Sequence, residues 1–133
     1  MKLTVRSEYA LLALIYLSKN YKKRLIKIEE IAKEQRIPKK YLEQILLILK
    51  RSGYLRSKRG AKGGYKLAKS PEDINIAEIV RLMDGPIAPV ESVSKYFYEP
   101  TPIEKNEKLR KLMSEIRKLV ADKLEETSFS DLL

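Results

Sequence analysis

The chain has 133 residues, with 28 Lys/Arg against 18 Asp/Glu and a formal net charge of +10. It contains no Cys, His or Trp. That excludes disulfides, thiolate-held zinc and iron–sulfur centres, and any site built on a histidine base or ligand. A hydrophobic fraction of 44% suits one globular domain, or a small domain with an appended element.

The charge is uneven. Residues 1–69 carry a net +14, and residues 70–133 a net −4. This is the pattern of a polyanion-binding module joined to a different element. Charged residues make up 35% of the chain, while Gln occurs only at 35 and 44 and Asn at 20, 75 and 106. With Cys absent, that mix points to a heat-adapted source, a thermophile. The longest apolar run, Tyr9–Leu17, is far short of the roughly 20 residues a spanning helix needs. No secretion signal is visible, so a cytoplasmic protein without membrane contact is expected.

Leu3 to Lys19 reads as a helix, apolar nearly all round and therefore packed on two surfaces. Asn20–Arg24 is a polar link. Ile28 to Gln35 is a short second helix, broken by Arg36-Ile-Pro38 because Pro lacks the N–H and restrains the residue before it. A third helix runs from Lys39 to Gly53, with Leu42, Ile45, Leu46 and Leu49 on one apolar face. Its opposite face carries Lys40, Glu43, Gln44, Leu47 and Arg51. Helix, tight break, helix with a polar outer face is a helix-turn-helix pattern. Leu47 fits that face poorly: it touches a thymine methyl, or the helix is rotated slightly.

Tyr54–Lys58 and Tyr65–Ala68 alternate around Arg59-Gly-Ala-Lys-Gly-Gly64, which reads as a β-hairpin. A basic hairpin directly after a helix-turn-helix is a wing. The joint Ser70-Pro-Glu-Asp73 offers Ser70 or Asp73 as a cap. Ile76, Ile79, Val80 and Met83 then face one way in a fourth helix that ends at Asp84-Gly85-Pro86. Residues 85–104 hold four prolines and no sustained period, a long loop of the functional kind. Glu104 to Glu126 is a long last helix. Leu109, Leu112, Met113, Ile116, Leu119, Val120 and Leu124 make its stripe, which is either intramolecular core or a seam between two copies. Its length favours the seam. Thr127–Leu133 can fold back onto the body.

These residues carry a resemblance. Met1-Lys-Leu-Thr4 with Tyr9-Ala10, Ile31-Ala32, Ile37-Pro38 and Tyr41-Leu-Glu-Gln-Ile-Leu46 begin it. Gly53-Tyr-Leu55, Ser57, Arg59-Gly60, Gly63-Gly-Tyr65, Leu67-Ala68 and Pro71 complete its core. Ile76, Glu78-Ile79, Asp84-Gly85 and Ser130-Asp-Leu-Leu133 extend it along nearly the whole chain. The pattern resembles the IscR/NsrR/CymR-type winged helix-turn-helix transcription regulators. It implies a mainly α fold with a small β-wing and a long C-terminal dimerisation helix. The expected divisions are a DNA-binding domain at 1–84, a sensing loop at 85–103 and a dimerisation helix with its tail at 104–133. The expected partners are operator DNA and a second copy.

Many members of that family hold an iron–sulfur cluster through three Cys in the loop before the last helix. Residues 86–102 have none, so no cofactor is expected, and the chain looks closer to the cluster-less, cysteine-metabolism-type branch. Arg36 stands where the family often has Gly, and Lys39-Lys40 where small hydroxyl residues are common. Both departures add positive charge beside the DNA face.

The resemblance places Glu43 and Gln44 on base edges, where a carboxylate accepts from cytosine and a Gln amide pairs with adenine. The competing reading is two solvated polar side chains. Arg59 is assigned to the minor groove, with Gly60, Gly63 and Gly64 allowing close approach. The competing reading is that these glycines only satisfy turn geometry. Lys39, Lys40, Lys58 and Lys62 are phosphate candidates. Tyr41 packs at the helix start, with its hydroxyl in reach of a phosphate. Tyr96, Phe97 and Tyr98 either receive an effector small molecule or a partner enzyme, or pack onto the body. No enzyme is expected, since no nucleophile–base pair or phosphate-cradling loop is present. The competing function is an interaction subunit of a metabolic enzyme, with DNA binding secondary.

Overall fold

Helix α1 spans Val5–Lys19 in a computed structural model that describes residues 1–133. The Thr4 hydroxyl accepts from the Ser7 amide at 3.2 Å, satisfying one orphan donor of the first turn. This cap moves the start of the helix from Leu3 to Val5. Thr4 also donates to the Asp84 carboxylate, through its amide at 3.1 Å and its hydroxyl at 2.5 Å. The beginning of α1 is thereby tied to the end of the fourth helix. Burial pushes the Asp84 carboxyl up, but the hydrogen bonds from Thr4 outweigh it and hold it below its ordinary value.

Helices α2 (Ile28–Gln35) and α3 (Lys39–Arg51) follow. All four apolar residues expected on α3, Leu42, Ile45, Leu46 and Leu49, are buried. Gly53 sits beyond the end of α3 at φ 87°, the left-handed geometry that closes a helix C-terminus. Strands β1 (Leu55–Lys58) and β2 (Gly64–Leu67) pair antiparallel, with Leu55 opposite Leu67. Both leucines are buried, while Arg56, Lys58 and Lys66 are exposed, as period-two alternation requires. Ile26 adds a bridge to the free edge of β2. Its amide donates to Tyr65 at 2.9 Å, and the Tyr65 amide donates back at 2.7 Å.

Helix α4 covers Ile76–Asp84. Neither Ser70 nor Asp73 caps it, because Pro71–Asp73 form a separate 3-10 turn. Asn75 is the cap, in a reciprocal box. Its side chain accepts from the Glu78 amide at 2.9 Å, and the Glu78 carboxylate accepts from the Asn75 amide at 2.9 Å. The same carboxylate accepts from the Tyr54 hydroxyl at 2.9 Å. Burial and that bond push the Tyr54 phenol up to about 12. The foot of the wing is thus joined to α4.

The segment 85–103 contains a 3-10 turn at Glu91–Val93, and a second at Pro102–Lys105 leads into α5 (Glu107–Glu125). The last helix starts three residues later than its periodicity predicts. Asn106 lies in extended backbone and accepts from the Leu109 amide at 3.0 Å, so it is the cap. The 19 residues of α5 extend about 28 Å at 1.5 Å per residue.

The tail folds back onto the body. The Ile76 amide donates to Thr127 at 2.9 Å, and the Phe129 amide to Ile74 at 3.0 Å. Phe129 is fully buried. One continuous core joins α1, α2, α3, the wing, α4, Ala121 of α5 and Phe129. Phe129→Ala is expected to lower unfolding free energy by about 3–5 kcal/mol. Denaturant titration checks this, and a loss of less than about 1 kcal/mol contradicts the tail's place in the core.

Candidate nucleic-acid interface

Helix α3 displays Lys40, Glu43, Gln44, Leu47 and Arg51, all exposed, opposite its buried face. Leu47 is 45% exposed, so no rotation of the helix hides it. The first turn of α3 carries Lys39 and Lys40 and no acid, and Pro38 supplies no side-chain cap. Cations there oppose the helix dipole and weaken the helix locally. The same arrangement concentrates positive potential where backbone N–H groups point outward, which suits phosphate. Lys39 is not free: its ammonium lies 2.8 Å from the Glu29 carboxylate, which raises its affinity for the proton. Lys40 rests 5.0 Å from the Tyr41 ring and has no ion pair.

Tyr41 packs on one side only and stays 47% exposed. Its ring lies 6.5 Å from that of Tyr9, and the two line a cleft of about 400 Å³ with Val5 and Arg6 at the start of α1.

The turn between α2 and α3 explains the unusual Arg36. It adopts φ 53°, ψ 46°, the left-handed region where a side chain is strained and glycine is not. Its amide closes the C-terminus of α2 onto Ala32 and Lys33. Ile37 then turns inward and is buried, which anchors the approach to α3.

In the wing, Lys58, Arg59 and Lys62 are exposed and make no ion pair. The Gly60 carbonyl accepts from the Gly63 amide at 2.9 Å and from the Lys27 ammonium at 3.1 Å. Lys27, which the sequence reading did not single out, therefore fastens the tip to α2. Two of the wing glycines serve the hairpin itself. A Cβ on Gly63 would collide with the Lys58 carbonyl, and one on Gly64 would meet the Ile26 carbonyl at 2.7 Å. Gly60 has open space around it. Turn geometry thus accounts for Gly63 and Gly64 without a ligand.

Two carboxylates of α2 are engaged, Glu29 by Lys39 and Glu30 by Arg24. Glu30 takes two hydrogen bonds from Arg24, at 2.8 and 2.7 Å, and one from the Tyr16 hydroxyl at 2.5 Å. Arg24 first, and Tyr16 second, hold its carboxyl down to about 2.

The C-terminal stripe divides. Leu109, Leu112, Ile116 and Leu119 are 38–74% exposed and recur at spacings of three and four. Val120 and Leu124 pack against the chain's own core beside the buried Ala121, and Met113 is half-buried.

Tyr96, Phe97 and Tyr98 are exposed and line none of the three clefts on the molecule. Tyr96 is held by the Arg81 guanidinium at 4.7 Å and the Lys95 ammonium at 5.2 Å. Arg81 and Lys95 in turn pair with Glu125 of α5, at 2.7 and 3.5 Å. The Tyr98 hydroxyl donates to Glu104 at 2.5 Å.

A helix-turn-helix with a basic, polar outer face, fastened to a basic wing, defines a winged helix-turn-helix protein of the DNA-binding transcription regulators. Residues 3–133 match the Rrf2 family, described as iron-dependent transcriptional regulators, and the chain belongs to that family. It is 40% identical over 120 residues to a putative rrf2-like HTH-type transcriptional regulator of Rhodobacter capsulatus, covering 86% of this chain and 80% of that protein. It is 33% identical to the HTH-type transcriptional regulator CymR of Bacillus subtilis, covering 99% and 89%. The structure of CymR, the global cysteine regulator of B. subtilis, superimposes with a TM-score of 0.82 at 32% identity, covering 99% and 95%. The IscR of T. potens, at 24% identity and a TM-score of 0.77, shares the fold over 99% and 85%.

The family description implies iron, but the donor set of this chain does not fit a thiolate-held cluster. There is no Cys or His, and no three Asp or Glu side chains converge. The segment 85–103 offers only Glu91 and Glu99 as anionic ligands. No helix is long and apolar enough to cross a membrane.

Arg36→Gly is expected to raise unfolding free energy by about 1 kcal/mol, because it relieves the left-handed strain while keeping the turn. Denaturant midpoints measure this; a lower midpoint contradicts the strain assignment.

Proposed function

We propose that the chain is a homodimeric, sequence-specific regulator that reads operator DNA without a metal centre. Helix α3 enters the major groove, and the wing tip 59–64 enters the adjacent minor groove. One observation carries this reading. A carboxylate and an amide, Glu43 and Gln44, stand exposed on a face otherwise made of cations and Leu47. A carboxylate there weakens indiscriminate attraction to phosphate, so its place on that face favours discrimination between bases. Lys39, Lys40, Lys58 and Lys62 serve the backbone, with Lys39 exchanging Glu29 for phosphate. Arg51 extends the same face, and Tyr41 braces the start of the helix.

Functionally, residues 1–84 read DNA, 85–103 receive the signal and 104–133 dimerise. Leu109, Leu112, Ile116 and Leu119 form the seam, since their three–four spacing is the knob pattern of paired helices. Met113, Val120 and Leu124 back that seam from the body side. Tyr96 and its neighbours are the effector surface, for a small molecule or a partner enzyme. Any shift of Tyr96 is felt by Arg81 on α4 and Glu125 on α5. The protein acts in a prokaryotic cytoplasm, where its DNA lies.

Selection of bound sequences from random duplex should return one partly palindromic motif. Equal affinity for all duplexes at physiological salt contradicts sequence reading. On the selected duplex, Arg59→Ala should cost about 1–3 kcal/mol of binding and flatten preference at the base pairs beneath the wing. Fluorescence anisotropy measures it; unchanged affinity removes the wing from the interface. Ile116→Glu should turn a dimer into a monomer in light scattering, and a dimer that survives it refutes the seam.

A further inference from the structure

A second basic cleft, of about 230 Å³, lies at the foot of the wing and is lined by Lys22, Lys23, Arg24, Leu25 and Lys66. Lys22, Lys23 and Lys66 are exposed, and none makes an ion pair. Their proximity is built in. The Ile26–Tyr65 bridge fixes Lys66, the next residue of β2, beside the segment that carries Lys22 and Lys23. Lys22 rests 5.5 Å from the Tyr21 ring, and three ammonium groups on one cleft set up a positive potential that favours an anion there. The chain supplies none at this cleft. The nearest carboxylates that follow in sequence are engaged: Glu29 is taken by Lys39, and Glu30 by Arg24 and Tyr16.

We propose that this cleft holds the phosphate backbone of duplex DNA outside the segment read by α3 and the wing tip. The inference rests on the DNA-binding reading above and lengthens its footprint. Continuity supports duplex. A neighbouring cleft of about 420 Å³ shares Arg24 and Leu25 with this one and runs past Lys27 to Lys62 and Gly63 at the wing tip. Glu29 and Glu30 also line that cleft, but each is already paired, with Lys39 and Arg24, so Lys27 and Lys62 carry its uncompensated charge from the tip toward the foot. The chemistry points the same way. The charged lining is lysine apart from the engaged Arg24, and lysine is a point charge suited to backbone phosphate rather than to bidentate recognition. An acidic protein partner would need aromatic or apolar anchors, and Leu25, half-buried, is the only apolar residue in the cleft.

The test uses the selected duplex in two lengths, one ending at the wing contact and one extended by about one helical turn on each side. The variant K22Q/K23Q/K66Q should bind the short duplex as the parent does. On the long duplex it should bind more weakly, with a log–log salt slope smaller by about 2–3, at about 0.9 per phosphate released. The triple Lys→Arg variant should restore the parent slope on the long duplex. Identical slopes for the Gln variant and the parent on the long duplex overturn the inference. So does an equal loss on both lengths, or an acidic protein that competes for these lysines while DNA binding is unchanged. Failure of the underlying reading looks different: the parent itself would then show no preference for the selected duplex over a scrambled one.

Discussion

Burial of α1 against its neighbours is the constraint from which the rest of the molecule takes its arrangement. Ala10, Ala13, Leu14 and Leu17 are buried along it, and the small side chains at 10 and 13 admit close approach by other elements. α1 packs against α2, α3, α4, β2 and the C-terminal tail. No hydrogen bond or ion pair joins the exposed face of α3 directly to the wing tip; a shared core orients both. Because that core is continuous from α1 to Phe129, α3 and the wing belong to one packed body. The proposed groove contacts would therefore be made by elements already arranged in folding, which keeps the ordering cost of binding low.

Upon that scaffold the chain sets several locally unfavourable choices on one side. Arg36 takes a left-handed backbone, α3 begins with two lysines and no cap, and Lys22 also lies at positive φ. Each works against local stability, and all lie in or beside the basic half of the molecule. Glu29 and Glu30 of α2 are engaged by Lys39 and by Arg24 and Tyr16, so they do not neutralise the remaining cations. Consistency across levels fails where a surface serves a partner rather than the fold. The C-terminal half is built otherwise: Tyr96, Arg81, Lys95 and Glu125 link a loop, α4 and α5 through charge and aromatic contact.

Much of this was legible in the sequence because it depends on short-range periodicity. The three–four spacing of Leu42, Ile45, Leu46 and Leu49 fixed the inward face of α3, and hence its outward residues. Alternation fixed Leu55 and Leu67; the tail was expected only to be able to fold back, and it is Phe129, not the exposed Leu132 and Leu133, that holds it there. What was missed depends on partners distant in sequence or on backbone geometry. Asn75 rather than Ser70 or Asp73 caps α4, although the Asn-x-x-Glu spacing carried the signal. Asn106 likewise marked the true start of α5. The C-terminal stripe could not be divided from periodicity alone, since seam and core residues share one helical spacing. Gly64 proved to be a packing residue where Ile26 crosses, a contact spanning 38 positions, while Gly63 clears the Lys58 carbonyl within the hairpin. The run Lys22-Lys23-Arg24 was visible as charge, but only the Ile26–Tyr65 bridge brings it to Lys66.

In the proposed complex, α3 and the wing meet duplex DNA together, as one face. Amide hydrogen exchange, compared with and without the selected duplex, tests it most directly. Slowed exchange is expected in the first turns of α3 and across 59–64, with α5 equally protected in both states. Slowing confined to residues 85–103, with α3 and the wing exchanging as in the free protein, contradicts it.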